Sequence, residues 1–137
     1  MFFNYEKYLS HDFSPDYWSD EGITAASTLL AGFSEEDWGM LAKSWSSKPK
    51  EWKVRCAETI DSAPSSVVVE VLLAMLHDVD ADVVIAAADS LRSMPRPALR
   101  ISKQRVDHLL NLRDQSGPIV KAVLDDFIKQ LVRSDKE

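Results

Sequence analysis

Three aspartates at alternate positions, Asp78, Asp80 and Asp82, read as the opening of a calcium loop, where spaced carboxylates hold the ion. Such a loop needs glycine at its sixth position for a sharp turn, and Val83 stands there. Asp89 falls at the twelfth position, but the intervening VVIAAA has helical spacing. The run therefore reads as a turn and a helix N-cap at Asp80 or Asp82. The single thiol, Cys56, follows Arg55, whose charge would favour a thiolate. It falls between Trp52 and Ile60 on an inward helix face, where cysteine packs as a small apolar group. His11, His77 and His108 are far apart, and no His-x-x-x-His or Cys-x-x-Cys spacing occurs. The glycines are scattered singly, so no phosphate-cradling loop forms. Asp125 and Asp126 are adjacent on a helix and point about 100° apart, so they cannot share a substrate oxygen. The expectation is a protein without catalytic residues, cofactor or metal.

What remains is charge and aromatic residues. The net charge of −6 lies in residues 1–47, where eight acids face Lys7 and Lys43; residues 48–137 are balanced. A field of that sign repels phosphate backbones and favours basic partners. Trp38, Trp45 and Trp52 stand seven residues apart, a spacing that suits a coiled-coil seam, a base-stacking platform or core packing. Pro49 interrupts any continuous seam, and Glu35, Glu36 and Asp37 stand where a base platform would need cations. The rings are expected in the core, closing one helical pair.

These residues need helices to position them. At 137 residues the chain fits one domain large enough for a core without disulfides or metals. Four glycines and six prolines are few for an all-β chain. One cysteine suits a reducing compartment, the start MFFNYEKYLS lacks a secretory pattern, and no apolar run is long enough to span a membrane. The expected location is the cytoplasm.

A short helix is expected around residues 2–9, with turns at Ser14-Pro15 and Glu21-Gly22 and a helix through ITAASTLLAGF ending near Gly32. S-E-E-D at 34–37 caps the next helix and fills its first turn with acids. Trp38, Leu41, Ala42 and Trp45 then share one face. Pro49 suits the first turn of the following helix, which turns Trp52, Cys56, Ala57 and Ile60 inward. A second pair runs through SSVVVEVLLAML and DVVIAAADSLRSM, with a Ser cap after Pro64. After the connector MPRPALR, a third pair runs through ISKQRVDHLLNLR and GPIVKAVLDDFIKQLVR, leaving SDKE as a polar tail.

The second helices of the pairs overlay. VRCAETI (54–60) matches IAAADSL (85–91) at an offset of 31 residues, and VLDDF (123–127) matches AADSL (87–91) at 36. The unit of an apolar helix, a K-P-K or D-x-D turn, then WKVRCAETI or DADVVIAAADSL, resembles a HEAT-like repeat. Val54, Arg55 and Ala57 carry its Val-Arg-x-Ala; the second copy has Ile85 in place of the Arg, and the third has Lys121 near it. The resemblance covers roughly residues 34–133. It implies an all-α, right-handed α-solenoid of about three HEAT-like helical pairs (34–62, 65–94, 101–133) behind an N-terminal helical cap (1–33). The stretch FSEEDWGMLAKSW…EWKVRCAETI is also similar to small bacterial HEAT-like immunity proteins of toxin–immunity systems.

That resemblance and the acidic N-terminal third lead to one functional expectation. The chain is a monomer that forms a heterodimeric complex with a basic partner protein, such as a nuclease-type toxin domain, and occludes its active site. The expected contact residues are Asp12, Asp16, Asp20, Glu21, Glu35, Glu36 and Asp37, with Tyr17 and Trp18 as exposed aromatic anchors. Glu58, Asp89 and Asp125 occupy one position of the overlaid helices and would extend the acidic surface as a ladder. The local alternative pairs Asp89 with Arg92 and Asp125 with Lys129. Two other readings are a scaffold whose concave face binds a peptide, and a phosphate- or nucleic-acid-binding module using Arg92, Arg96, Arg100, Lys103 and Arg105. The overall acidity opposes the last.

Overall fold

Alanine, leucine and valine at helical spacing, broken by Ser, Asp and Pro caps, give a chain of helices. The computed structural model describes residues 1–63, 65–94, 103–115 and 117–135, with no strand among them. Helix α1 spans Phe2–Leu9, and α2 is a single turn, Pro15–Tyr17. A π-helical turn, Trp18–Gly22, carries the chain into α3, Ile23–Leu30. Then come α4 (Glu35–Ser44), α5 (Lys50–Thr59), α6 (Ser66–Met75), α7 (Ala81–Ser93), α8 (Lys103–Gln115) and α9 (Pro118–Asp135). Single 3-10 turns, Trp45–Ser47 and Ile60–Ser62, finish α4 and α5. The expected all-α class holds. Helix α3 packs on α5, α5 on α7 and α7 on α9, while α1 packs on α4 and α4 on α6. The contacts α1 to α3 and α6 to α7 join these two rows, and α8 packs on α9.

Several boundaries differ from expectation. Glu21-Gly22 is not a turn: both lie in the π-helical turn, and a methyl group on Gly22 would collide with the Trp18 ring. Glycine is needed there because the indole lies against its own helix one turn on. Pro49 is the residue before α5 rather than part of its first turn. Helix α9 runs to Asp135, past the boundary at 133. The connector 95–102, with Arg96 and Arg100, lies outside the described residues, as do the side chains of Lys103 and Arg105.

The start of α4 has the expected cap. Ser34 Oγ accepts from the Asp37 N–H at 3.2 Å, and Asp37 Oδ2 accepts from the Ser34 N–H at 2.9 Å. Asp37 Oδ1 also accepts from the Phe2 N–H at 2.9 Å, which ties α1 to α4. These backbone donors hold the Asp37 carboxyl well below its ordinary range. Asp37→Ala should cost about 1–2 kcal/mol in a urea titration; a loss below a few tenths would show the cap to be idle. The linkage sign is fixed by the depressed folded pKa. The contribution is full above the ordinary carboxylate pKa and is lost as the pH falls below it.

The tryptophans are core, though not as one stack. Trp52 is 2% exposed, meets Tyr5 edge-on at 6.1 Å, and donates its Nε1–H to the Glu6 carbonyl at 3.1 Å. Trp38 is buried against Phe33, with ring centroids 4.9 Å apart. Trp45 is half-buried, with the Lys53 ammonium over its ring. Among the described residues, Trp38 and Trp52 thus find their ring partners in Phe33 and in α1 rather than in each other. Ala42, expected inward, is exposed. Cys56, Ala57 and Ile60 are fully buried as expected. Beside them the Tyr5 hydroxyl bonds Thr59 Oγ1 at 2.7 Å, pairing two polar groups that burial would otherwise penalise.

Candidate functional site

Helix α5 has a second face besides the buried one. Glu51, Val54, Arg55 and Glu58 follow i, i+3, i+4, i+7 spacing, and so do Asp82, Ile85, Ala86 and Asp89 on α7. The two sets stand 31 residues apart and line one open groove of about 760 Å³. Burial repeats in the same register. Cys56, Ala57, Thr59 and Ile60 are buried around exposed Glu58, as Ala87, Ala88, Ser90 and Leu91 are around Asp89. In this register the counterpart of Arg55 is Ala86, not Ile85. Phe13, Pro15, Trp18 and Ile23 close the groove on the α3 side, and Asp61 and Ser93 complete its far end.

Its floor is apolar and its edge charged. Five acids line it (Glu51, Glu58, Asp61, Asp82, Asp89) against two bases, Lys50 and Arg55. Arg55 is committed elsewhere. Its Nη1 donates to the Leu9 and His11 carbonyls at 2.9 and 2.6 Å, and its guanidinium lies 5.0 Å from the Phe13 ring centroid and 5.5 Å from that of Trp18. Lys50 pairs with Asp82 at 2.6 Å, and Asp89 with Arg92 at 2.9 Å. Glu58 and Asp61 have no ion pair among the described residues. Burial pushes both carboxyls above their ordinary values, opposed at Glu58 by the Trp18 indole and Arg55, and at Asp61 by Ser93 Oγ, which donates at 3.1 Å. Two carboxylates without an ion pair over an apolar floor, Glu58 exposed at the rim and Asp61 partly buried, make a cation-binding element.

The structure divides the expected contact surface. Glu58 and Asp89 share the groove with Trp18. Asp12, Asp16, Tyr17, Asp20 and Glu21 are exposed on the segment that carries Phe13 and Trp18 to its edge. Trp18 is not an exposed anchor. It is 8% exposed, stacked on Phe13 at 5.8 Å, because Gly22 leaves room for its ring. Tyr17, 40% exposed, is available. Glu35 and Glu36 are exposed at the start of α4, which packs in the other row with α1 and α6, and Asp37 is taken up by its cap. The ladder stops at α7. Asp125 pairs with Arg113 of α8 at 3.0 Å rather than with Lys129, and Arg92 bridges Asp89 to Asp126 of α9 at 2.8 Å. Asp125 and Asp126 do diverge, one to each neighbour.

Glu51, Val54, Asp82, Ile85 and Asp61 were missed as site residues. For the first four the signal was present, an acid, an apolar residue and an acid at i, i+3, i+7 in both copies of the repeat.

The calcium-like run is structural. Asp78 Oδ1 accepts from the Asp80 N–H at 2.9 Å, and Asp78 Oδ2 pairs with Lys53 at 2.8 Å. Asp80 precedes α7 as its N-cap residue without a side-chain cap bond, and Asp82 faces Lys50. Cys56 is fully buried beside Tyr5, and desolvation pushes its thiol up to about 12. In the native protein it should resist a thiol reagent at neutral pH and react fully after denaturation in urea. Rapid native labelling would contradict this packing. Among the described residues no helix is long and apolar enough to cross a membrane. No protein-family model, curated protein or solved structure matches the chain.

Proposed function

We propose that this protein is a non-enzymatic binding module that seats a basic segment of a partner protein in the groove over α3, α5 and α7. The observation that carries this is the groove's composition. An apolar floor lies under five carboxylates, of which Asp82 and Asp89 are paired with Lys50 and Arg92, while Glu51, Glu58 and Asp61 have no ion pair among the described residues. Unneutralised acids steer a basic partner and raise its association rate, and the floor supplies the buried contact that holds it. In its most concrete form the module is a cytoplasmic immunity protein whose carboxylates take the place of nucleic-acid phosphates in the cleft of a basic nuclease-type toxin. The resemblance in the sequence and the exposed acids beside the groove, from Asp12 to Glu21, support that form. The matching 31-residue register of burial on α5 and α7 supports a HEAT-like solenoid as the frame.

The nucleic-acid reading is disfavoured by Arg92, whose guanidinium is spent on Asp89 and Asp126. Capture from a lysate of the source cell, followed by mass spectrometry, tests the proposal. Recovery of a basic protein whose binding weakens with salt is the expected result. Recovery of a nucleic acid, or of only acidic proteins, would overturn it.

A further inference from the structure

An unsatisfied indole donor and two carboxylates without ion pairs line the groove together. Trp18 is more than nine-tenths buried, yet its Nε1–H meets no acceptor in hydrogen-bonding geometry. It lies close enough to Glu58 to favour that carboxylate's charged form. A buried indole N–H normally finds a partner, so an empty one beside a groove marks a place for an acceptor. Glu58, exposed at the rim, and Asp61, partly buried, stand three residues apart on α5 and its 3-10 turn and are groove carboxylates outside the Lys50 and Arg92 pairs. Asp61 accepts from Ser93 Oγ at 3.1 Å, and the backbone N–H groups of Asp61 and Ser62 also favour its charged form.

From this geometry we infer that the groove recognises an arginine in a partner segment, its guanidinium held by Glu58 and Asp61 and a neighbouring main-chain carbonyl accepting from Trp18 Nε1–H. Arginine fits better than lysine. A planar guanidinium is weakly hydrated and offers donors to two carboxylates, whereas an ammonium gives up its water reluctantly in a half-buried site. Apolar side chains next to the arginine would cover Val54 and Ile85. This rests on the groove being the binding surface and names what that surface selects.

The full chain, labelled with nitrogen-15, should be titrated with a short acetylated and amidated peptide of leucines around a central arginine. Counterparts with lysine and with citrulline complete the set. Saturable binding with a shift of the Trp18 indole N–H resonance is expected. Citrulline should weaken it about tenfold or more, and lysine less. Glu58→Gln, at an exposed position, should weaken the arginine peptide about tenfold, and Glu35→Gln, in the other row, should leave it unchanged. Trp18→Phe, which keeps the ring but not the donor, should also lose affinity.

Equal binding of arginine and citrulline would overturn the inference. So would equal losses from Glu58→Gln and Glu35→Gln, which would reduce the effect to net charge, or no peptide binding at all. The wider proposal fails separately, when capture yields no basic protein. A basic partner caught with full affinity by the Glu58→Gln protein would sink the arginine site and leave the binding module standing.

Discussion

Trp52→Ala should destabilise the protein by about 3–5 kcal/mol, a large share of the stability of a domain this size. The ring is 2% exposed, packs edge-on against Tyr5, and supplies the donor for the Glu6 carbonyl. Its removal leaves a cavity where α1 meets α5 and an acceptor without its partner. Trp45→Ala, at a half-buried ring, should cost markedly less. Urea denaturation would read both as shifts of the midpoint at unchanged slope. A Trp52→Ala loss below about 1 kcal/mol, or a greater loss at Trp45, would show that α1 is not held as described.

Reversing the charge at Glu58 should have the largest effect on binding. Glu58→Arg places a cation beside Arg55 and Asp61 and presents the partner's basic segment with a like charge, so affinity should fall about 100-fold or more. Isothermal titration with the captured partner is the measurement, and a change under about threefold would remove the groove from the interface.

Affinity should also fall on acidification, beginning above the ordinary carboxylate range. Glu58 and Asp61 must be ionised to hold a cation, and burial raises both. The charged groups around them are Lys50, Glu51 and Arg55 on α5, and Asp82, Asp89 and Arg92 on α7. For the free protein the sign is opposite. A carboxyl whose folded pKa exceeds its unfolded value costs stability when ionised, so Glu58 and Asp61 favour folding more as the pH falls through that window. Asp37, shifted the other way, loses its contribution only at lower pH. Binding and stability should therefore diverge in mild acid, which a parallel pH series would register.

The helices and their caps were legible because they depend on neighbours in the chain. Ser34 caps α4 and Ser65 caps α6, and Trp52, Cys56, Ala57 and Ile60 turn inward by period alone. The 31-residue repeat was legible too, since the same burial problem is solved twice with the same residue types. Gly22 was misread because its small size answers the Trp18 ring on the preceding turn, a steric demand that no turn signal encodes. Arg55 was weighed for its effect on Cys56, although its guanidinium ties the end of α1 and the segment after it to α5 through two carbonyls 46 and 44 residues away.

By itself, then, the sequence determined an all-helical chain, its repeat, its inward faces and an excess of acid in the first third, all of which come from local spacing and composition. Which acids act together was decided by packing. Setting α5 beside α7 in register brings Glu58 and Asp89 into one groove and adds Asp61 and Asp82, while Arg113 and Arg92 take up Asp125 and Asp126. Charges in a sequence can be counted, but whether a carboxylate meets water, a cation or an apolar floor depends on which helix lies next to it.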